Sequence, residues 1–315
     1  MAINLEMPRK LQNVIEKAHQ GAAEMLRPIS RKYDLKEKEH AYPVELDTLA
    51  NLFEGISEAN AFAFAGAEAF TAGEDADKNR NGANMSALVN ALEISWGDVA
   101  LLLSVPYQGL GNAAISSVAT PEQLKRLGKV WAAMAITEPG FGSDSAAVTT
   151  TATLDGDEYV INGEKIFVTA GSRASHIVVW ATLDKSKGRP AIKSFIVPRE
   201  HPGVTVERLE MKLGIKASDT AVIRFDNARI PKDNLLGSPE IDTGKGFAGV
   251  METFDNTRPI VAAMAVGIGR AALEDLRKIL TDAAWRSPTT SRRTRKAPRP
   301  RSSCGWRPTG KPATC

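Results

Sequence analysis

Residues 158–170 read EYVINGEKIFVTA. Two runs of β-branched and aromatic residues flank Asn162-Gly163, and that dipeptide between β-forming runs predicts a hairpin. The same texture extends on both sides. TTTATL (149–154), HIVVWATL (176–183), KSFIVP (193–198), VTVERL (204–209) and AVIRFDN (221–227) are short β-rich runs separated by Asp, Gly, Pro and Asn. With EYVIN and KIFVTA they make seven runs, which predicts a compact β barrel or sandwich.

The flanks read as helix. Leu11, Val14, Ile15 and Ala18 recur at helical spacing, and Ser86–Val105 is apolar and periodic. Thr120-Pro121-Glu122-Gln123 is a helix start, with Thr120 as cap and Gln123 completing a capping box. That helix carries Leu124 and Leu127 inward and stops at Gly128. Beyond Asp242 the helical pattern returns, with Val261, Met264 and Ala265 on one face and Pro259 either kinking the helix or marking a start. The fold class is therefore α+β. An N-terminal helical domain (1–132) precedes a central β-barrel or sandwich domain (133–242). The start of a C-terminal helical bundle (243–283) follows, cut short, and 284–315 form a tail. A cleft between unlike layers is a common place for a cofactor.

A hydrophobic fraction of 43% and a charged fraction of 24% are those of a soluble globular chain. No apolar run is read as approaching the roughly 20 residues of a membrane span. The amino terminus lacks a signal core, so the cytoplasm is the expected location. The net charge of +3 conceals an asymmetry: Ala284–Cys315 hold nine Lys or Arg and no acid, and without them the balance falls to −6. Cys304 and Cys315 both lie in that tail, so neither a disulfide framework nor a metal cluster is expected. His19, His40, His176 and His201 form no cluster in sequence.

Between the helical and β parts stands AITEPGFGSD (135–144). Gly140 and Gly142 let a backbone approach a flat ligand and adopt positive φ, and Thr137 adds a hydroxyl and an N–H beside them. Three more blocks follow in order: INGEKIFVTAGSRASHIVVWA (161–181), KLGIKASDTAVIRFDNARIPKDNLLG (212–237) and FDNTRP (254–259). Together these four blocks resemble the acyl-CoA dehydrogenase flavoproteins, over roughly residues 10–282. The resemblance implies FAD as cofactor, contacted by Met134, Ala135, Ile136, Thr137, Gly142, Ser143, Phe167, Val168 and Thr169. Backbone donors of the loop would meet the polar edge of the ring, where negative charge builds as hydride arrives. Thr169 matches a position near flavin N5, and Phe167 replaces the family's frequent Trp over one ring face. Ser143 matches an acyl-CoA contact, and Asp255 and Arg258 match positions near the CoA moiety. Phe141 stands where many members carry a small residue. Glu138 is read as a brace of the loop rather than a chemical group.

The family's reaction takes a proton from the α carbon and a hydride from the β carbon of an acyl-CoA thioester. A glutamate accepts the proton. Most members carry it late in the last helical domain, and a minority at the position of Thr257. Glu252 and Glu274 match neither site, so no catalytic base is expected in this chain. The tail supplies a reason. With one choice of codons read in a single shifted phase, Ala284–Ser291 can encode VEISYDK and Ser302–Cys315 FLRMEADWEAGYL, the second having acids and helical amphipathicity. A frameshift near Ala283 is the expectation, leaving a truncated chain of little or no turnover. By resemblance the parent oxidises an acyl-CoA to the 2,3-enoyl-CoA and passes electrons to an electron-transferring flavoprotein, as a homo- or hetero-oligomer. A non-catalytic partner subunit is one alternative, and an acyl-CoA oxidase or flavin monooxygenase of the same fold is another. Neither nucleic acid nor membrane is expected as a partner.

Overall fold

The computed structural model describes residues 7–48, 83–106, 110–127, 130–241 and 248–282. The stop read at Gly128, the tail from 284 and the side chain of Glu252 lie outside the described residues. By contact the chain divides into two units, Met1–Ala272 and Leu273–Cys315.

Helix α1 (Arg9–Gly21) buries Leu11 and Ala18 and half-buries Val14 and Ile15, the face its spacing marks. A π-turn (Ala22–Leu26) leads into α2 (Arg27–Asp34). Helix α3 (Ala83–Ser104) packs on all three. It is broken at Asp98, whose backbone is extended (φ −169°, ψ 121°). One carboxylate oxygen of Asp98 accepts the Leu101 N–H at 2.8 Å, recapping the second half of the helix. The other accepts the Ser30 hydroxyl and ties α3 to α2. Gly97 permits the close approach, since a Cβ there would sit 2.8 Å from the Ala22 Cβ.

Residues Met85–Ser104 are long and apolar enough to cross a membrane by length and composition. This corrects the expectation that no run nears that size. Here the apolar side chains Ala91, Ile94, Leu101 and Leu102 form a core with Leu26, Tyr33, Ile260 and Met264. Helices α4 (Leu110–Val118) and α5 (Pro121–Leu127) follow. The capping box is present: Thr120 N–H donates to Gln123 Oε1 at 3.0 Å, and Gln123 N–H to the Thr120 hydroxyl at 3.3 Å. Leu127 is buried and Leu124 packs beside it.

The β part is one curled seven-stranded sheet, so the mixed helix-and-strand fold stands. Its strands are β1 (Ala132–Ala135), β2 (Thr151–Asp155), β3 (Glu158–Thr169), β4 (His176–Thr182), β5 (Ile192–Pro198), β6 (Val204–Leu209) and β7 (Thr220–Pro231). The order is β1-β4-β2-β3-β7-β6, with β5 on the other edge of β4. Strand β4 is buried on both faces. Ile177, Val179 and Ala181 join a core with Ile161, Phe195, Ile223 and Phe225. Val178 and Trp180 join another with Ala114, Ile115 and Leu127. That double burial follows from the period-two alternation of an interior strand.

The hairpin expected at Asn162-Gly163 is not there. EYVIN and KIFVTA are one 12-residue strand, and the tight turn is Gly156-Asp157 between paired Asp155 and Glu158. Gly156 has φ 64°, which suits such a turn. Gly163 lies mid-strand at a register shift. A Cβ at Gly163 would be 2.4 Å from the Thr150 hydroxyl and 2.8 Å from the Thr150 Cα, and its φ is 153°. Close backbone approach, not a turn, explains the glycine.

Helix α6 (Ala248–Asp282) holds Pro259 in its interior, so the proline does not mark a start. Its buried stripe is Ile260, Met264, Gly267 and Ala271, with Val261 and Ala265 exposed. Of the expected face, then, only Met264 points inward. A Cβ on Gly267 would lie 2.2 Å from the Leu92 carbonyl oxygen, so α6 rests directly on α3. Beside it Arg270 donates to Glu93 at 2.6 Å, and His19 Nδ1 stands 2.9 Å from the other oxygen. The Glu93 side chain is 5% exposed.

Three substitutions test these packings. Gly163→Ala is expected to lose about 2 kcal/mol in urea unfolding, while Gly140→Ala, whose Cβ meets nothing within 4 Å, stays within about 0.5 kcal/mol. Arg270→Ala strips a nearly buried carboxylate of its best donor and is expected to cost about 1–3 kcal/mol by the same measurement.

Candidate functional site

Strand β1 ends at Ala135 and releases the loop that carries Thr137 to Asp144. Glu138 and Phe141 exchange backbone hydrogen bonds of 3.2 and 3.1 Å, closing a tight turn over Pro139-Gly140. Below the turn the Glu138 carboxylate is buried. It accepts from the backbone N–H and hydroxyl of both Thr149 and Thr150 and from Lys165 Nζ at 2.8 Å. Lys165 also donates to the Ile136 carbonyl at 3.1 Å. Side-chain exposure is 0% for Lys165 and 2% for Glu138. Burial pushes the Glu138 carboxyl upward, but the Lys165 charge and the hydroxyl donors outweigh it and hold the group below the usual carboxylate range. Burial pushes Lys165 below the usual lysine range, against the pull of Glu138.

The loop is sewn to β3 at one further point. Ile166 N–H donates to the Thr137 carbonyl at 2.9 Å. Just beyond, β3 bulges: Lys165 pairs with Ile223 and Val168 with Ala221, so one extra residue sits on the β3 side. Phe167 occupies the bulge with φ 58° and is 60% exposed. A bulky side chain at left-handed φ costs about 1–3 kcal/mol and persists only where neighbours impose it. Val168 turns back into the core and Thr169 is half-buried. The following turn is braced from the start of β7. Asp219 accepts from Ser172 N–H at 3.0 Å and from the Ser172 hydroxyl at 2.8 Å, and its carbonyl accepts from Ala170 N–H at 3.2 Å.

Comparison with known proteins addresses the lineage of this arrangement. The family model for the acyl-CoA dehydrogenase middle domain matches residues 133–228. The mitochondrial short-chain specific acyl-CoA dehydrogenase of Bos taurus is 46% identical over 140 residues, 44% of this chain and 33% of the relative. The short-chain specific acyl-CoA dehydrogenase of Clostridium acetobutylicum is 35% identical over 206 residues, 63% of this chain and 53% of the relative. The butyryl-CoA dehydrogenase structure from Megasphaera elsdenii superposes with a TM-score of 0.71 at 28% identity, covering 88% of this chain and 70% of the other. The chain carries the middle domain of the acyl-CoA dehydrogenase family, at residues 133–228. It spans about a third of the length of the bovine relative and about half of the clostridial one.

Within this acyl-CoA dehydrogenase fold the residues expected from sequence fall into two groups. Thr137 and the Phe167–Thr169 segment are brought together by the Ile136, Thr137 and Lys165 contacts. Met134 is half-buried, and Ala135, Ile136 and Val168 are buried, so these last three can offer a ligand little beyond backbone. Gly142 and Ser143 are exposed on the loop. Asp255 and Arg258 lie apart on α6, both exposed, paired with each other at 3.5 Å. Thr257 between them is buried. One expectation is corrected: neither Gly140 nor Gly142 takes positive φ, and in the 165–170 segment it is Phe167 and Ala170 (φ 59°) that are left-handed. Glu138 is the brace that the sequence reading took it to be. Its partner Lys165 was missed, although a lysine two residues beyond Gly163 and four beyond Ile161 falls on the inward face of a strand.

The brace carries a pH signature. A carboxyl held below its ordinary value of 4.5 contributes stability that is fully present above that value and is lost as pH falls below it. Comparing wild type with the Glu138→Gln, Lys165→Met double variant, which removes the lysine's own titration, the stability gap in urea unfolding is expected to be constant between about pH 5 and 7. It should narrow by about 1 kcal/mol per pH unit below about 4.5.

Proposed function

We propose that this chain binds FAD and forms the flavin-contacting part of an enzyme that dehydrogenates an acyl-CoA thioester to the 2,3-enoyl-CoA. One observation carries the reading. Thr137 C=O meets Ile166 N–H at 2.9 Å, which sets the 136–143 loop beside the 167–169 bulge. The residues suit the group. A flat heteroaromatic ring needs polar contacts along one edge and an apolar cover on one face. Thr137 and Thr169 carry hydroxyls on half-buried backbone, and Phe167 presents an exposed ring held in a strained conformation. Open space around Gly140 and Gly142 leaves the loop accessible.

When bound, FAD supplies the hydride acceptor. The chain's own residues do the rest of what is assigned here. Thr137 and Thr169 orient the ring edge, and Phe167 covers a face and excludes water. Ser143, Asp255 and Arg258 are assigned to the acyl-CoA. A proton α to a thioester needs a carboxylate to receive it. Thr257 stands where some members of the family carry that glutamate, and a hydroxyl does not accept the proton near neutral pH. None of the described residues is assigned as the base. The electrons are assigned to an electron-transferring flavoprotein. Relatives named for short-chain substrates make butyryl-CoA the first thioester to try.

FAD retained after gel filtration, read by its visible absorbance, tests the reading. Phe167→Ala and Thr169→Val are each expected to weaken binding about tenfold, or about 1.4 kcal/mol. A wild-type chain that retains no FAD at micromolar concentration overturns it. Anaerobic addition of butyryl-CoA then reports the base directly, since flavin bleaching requires a proton acceptor.

A further inference from the structure

A fully buried lysine demands an account. Its desolvation costs several kcal/mol, and a core strand can be built from apolar residues instead. Lys165 does two things an apolar residue cannot. It grips the Ile136 carbonyl at 3.1 Å and the Glu138 carboxylate at 2.8 Å, the residues on either side of Thr137. It also puts a unit charge, next to one of opposite sign, two positions before the strained Phe167. Charges in a buried setting act over several ångströms with little screening.

Resting on the flavin reading above, we propose that Lys165 is a positioning residue of the flavin site. Its ammonium fixes the backbone on both sides of Thr137, and together with Glu138 it sets the reduction potential of the bound flavin. The two roles have separate signatures. Reduced flavin carries more negative charge than oxidised flavin, so a cation left without its partner favours reduction and an anion left without its partner opposes it.

The experiment compares Glu138→Gln, Lys165→Met and the double variant, each loaded with FAD. Equilibration against reference dyes gives the potential, and fluorescence titration gives the dissociation constant. Glu138→Gln is expected to raise the potential at the acid end of the measured pH range, where the unpartnered Lys165 keeps its proton against burial, and Lys165→Met to lower it. Each should shift by about 30 mV, which is a tenfold change in the reduced-to-oxidised ratio for two electrons. The double variant buries no charge and so holds its fold even where a single one does not. It is expected to bind FAD about tenfold more weakly, because the clamp on Ile136 is gone. Wild-type potentials in both single variants, or shifts of one sign in both, overturn the electrostatic role. Wild-type affinity in the double variant overturns the positioning role. Failure of the wild type to take up FAD overturns the flavin reading and this proposal together, whereas uptake with unchanged potentials and affinity overturns this proposal alone.

Discussion

One carboxylate and one ammonium, both out of contact with water, hold the site segment of this fold together. Glu138 satisfies its oxygens with four donors from Thr149 and Thr150 besides Lys165. A buried ion pair is favourable only when its remaining hydrogen-bonding capacity is met in this way. Three chain segments must therefore arrive together: the loop after β1, the entry to β2 and the middle of β3. None can drift without leaving a charge uncompensated in a low-dielectric interior. That restriction turns a glycine-rich loop, which would otherwise sample many conformations, into a fixed edge beside β3.

The helices serve the same end from the other side. Gly111 lets α4 come so near β1 that a Cβ would stand 2.4 Å from the Ala132 carbonyl oxygen. Asn112 takes both the Val130 carbonyl and the Ala132 N–H, at 2.7 and 3.0 Å. These contacts set where β1 begins, and so where the loop leaves it. Gln123, the residue that closes the α5 capping box, reaches the Leu235 carbonyl at 2.6 Å and accepts from Gly237 N–H at 2.9 Å. A helix cap thus pins the chain that leaves β7. Short-range sequence chemistry and long-range tertiary contact use the same side chain.

Much of this was readable from the residues, and the failures have physical causes. Runs rich in Val, Ile and Phe announce themselves, because those side chains suit a pleated and half-buried surface. Strand β1 does not. Its sequence, AAMA, has no such preference and is extended only because β4 offers it a parallel edge. Asn162-Gly163 mimics a hairpin because glycine answers two demands, positive φ in turns and close backbone approach in strands. Only the position of Thr150 distinguishes them here. Met85–Ser104 resembles a membrane segment for a related reason, since a helix packed on both sides in a core needs much the same composition as one facing lipid. The Thr137 loop and the Phe167–Thr169 segment were legible as motifs. Lys165 was not, because a lysine in a strand is ordinarily solvent-facing and its partner lies 27 positions away.

The bulge in β3 reconciles demands that a regular strand cannot meet. With strict alternation, residues 165, 167 and 169 share one face and 166 and 168 the other. Burying Lys165 against Glu138 would then bury Phe167 as well and turn Val168 outward. One extra residue between Lys165 and Val168 breaks the parity. Lys165 and Val168 both point into the core, at 0% and 1% exposure, and Phe167 is expelled to the surface. The left-handed φ at Phe167 is the local cost of that arrangement, and the ion pair on one side with the buried valine on the other makes it unavoidable. An exposed aromatic ring in a strained backbone, fixed by a charge pair that any slip in register would break, is a placement that core packing alone does not require.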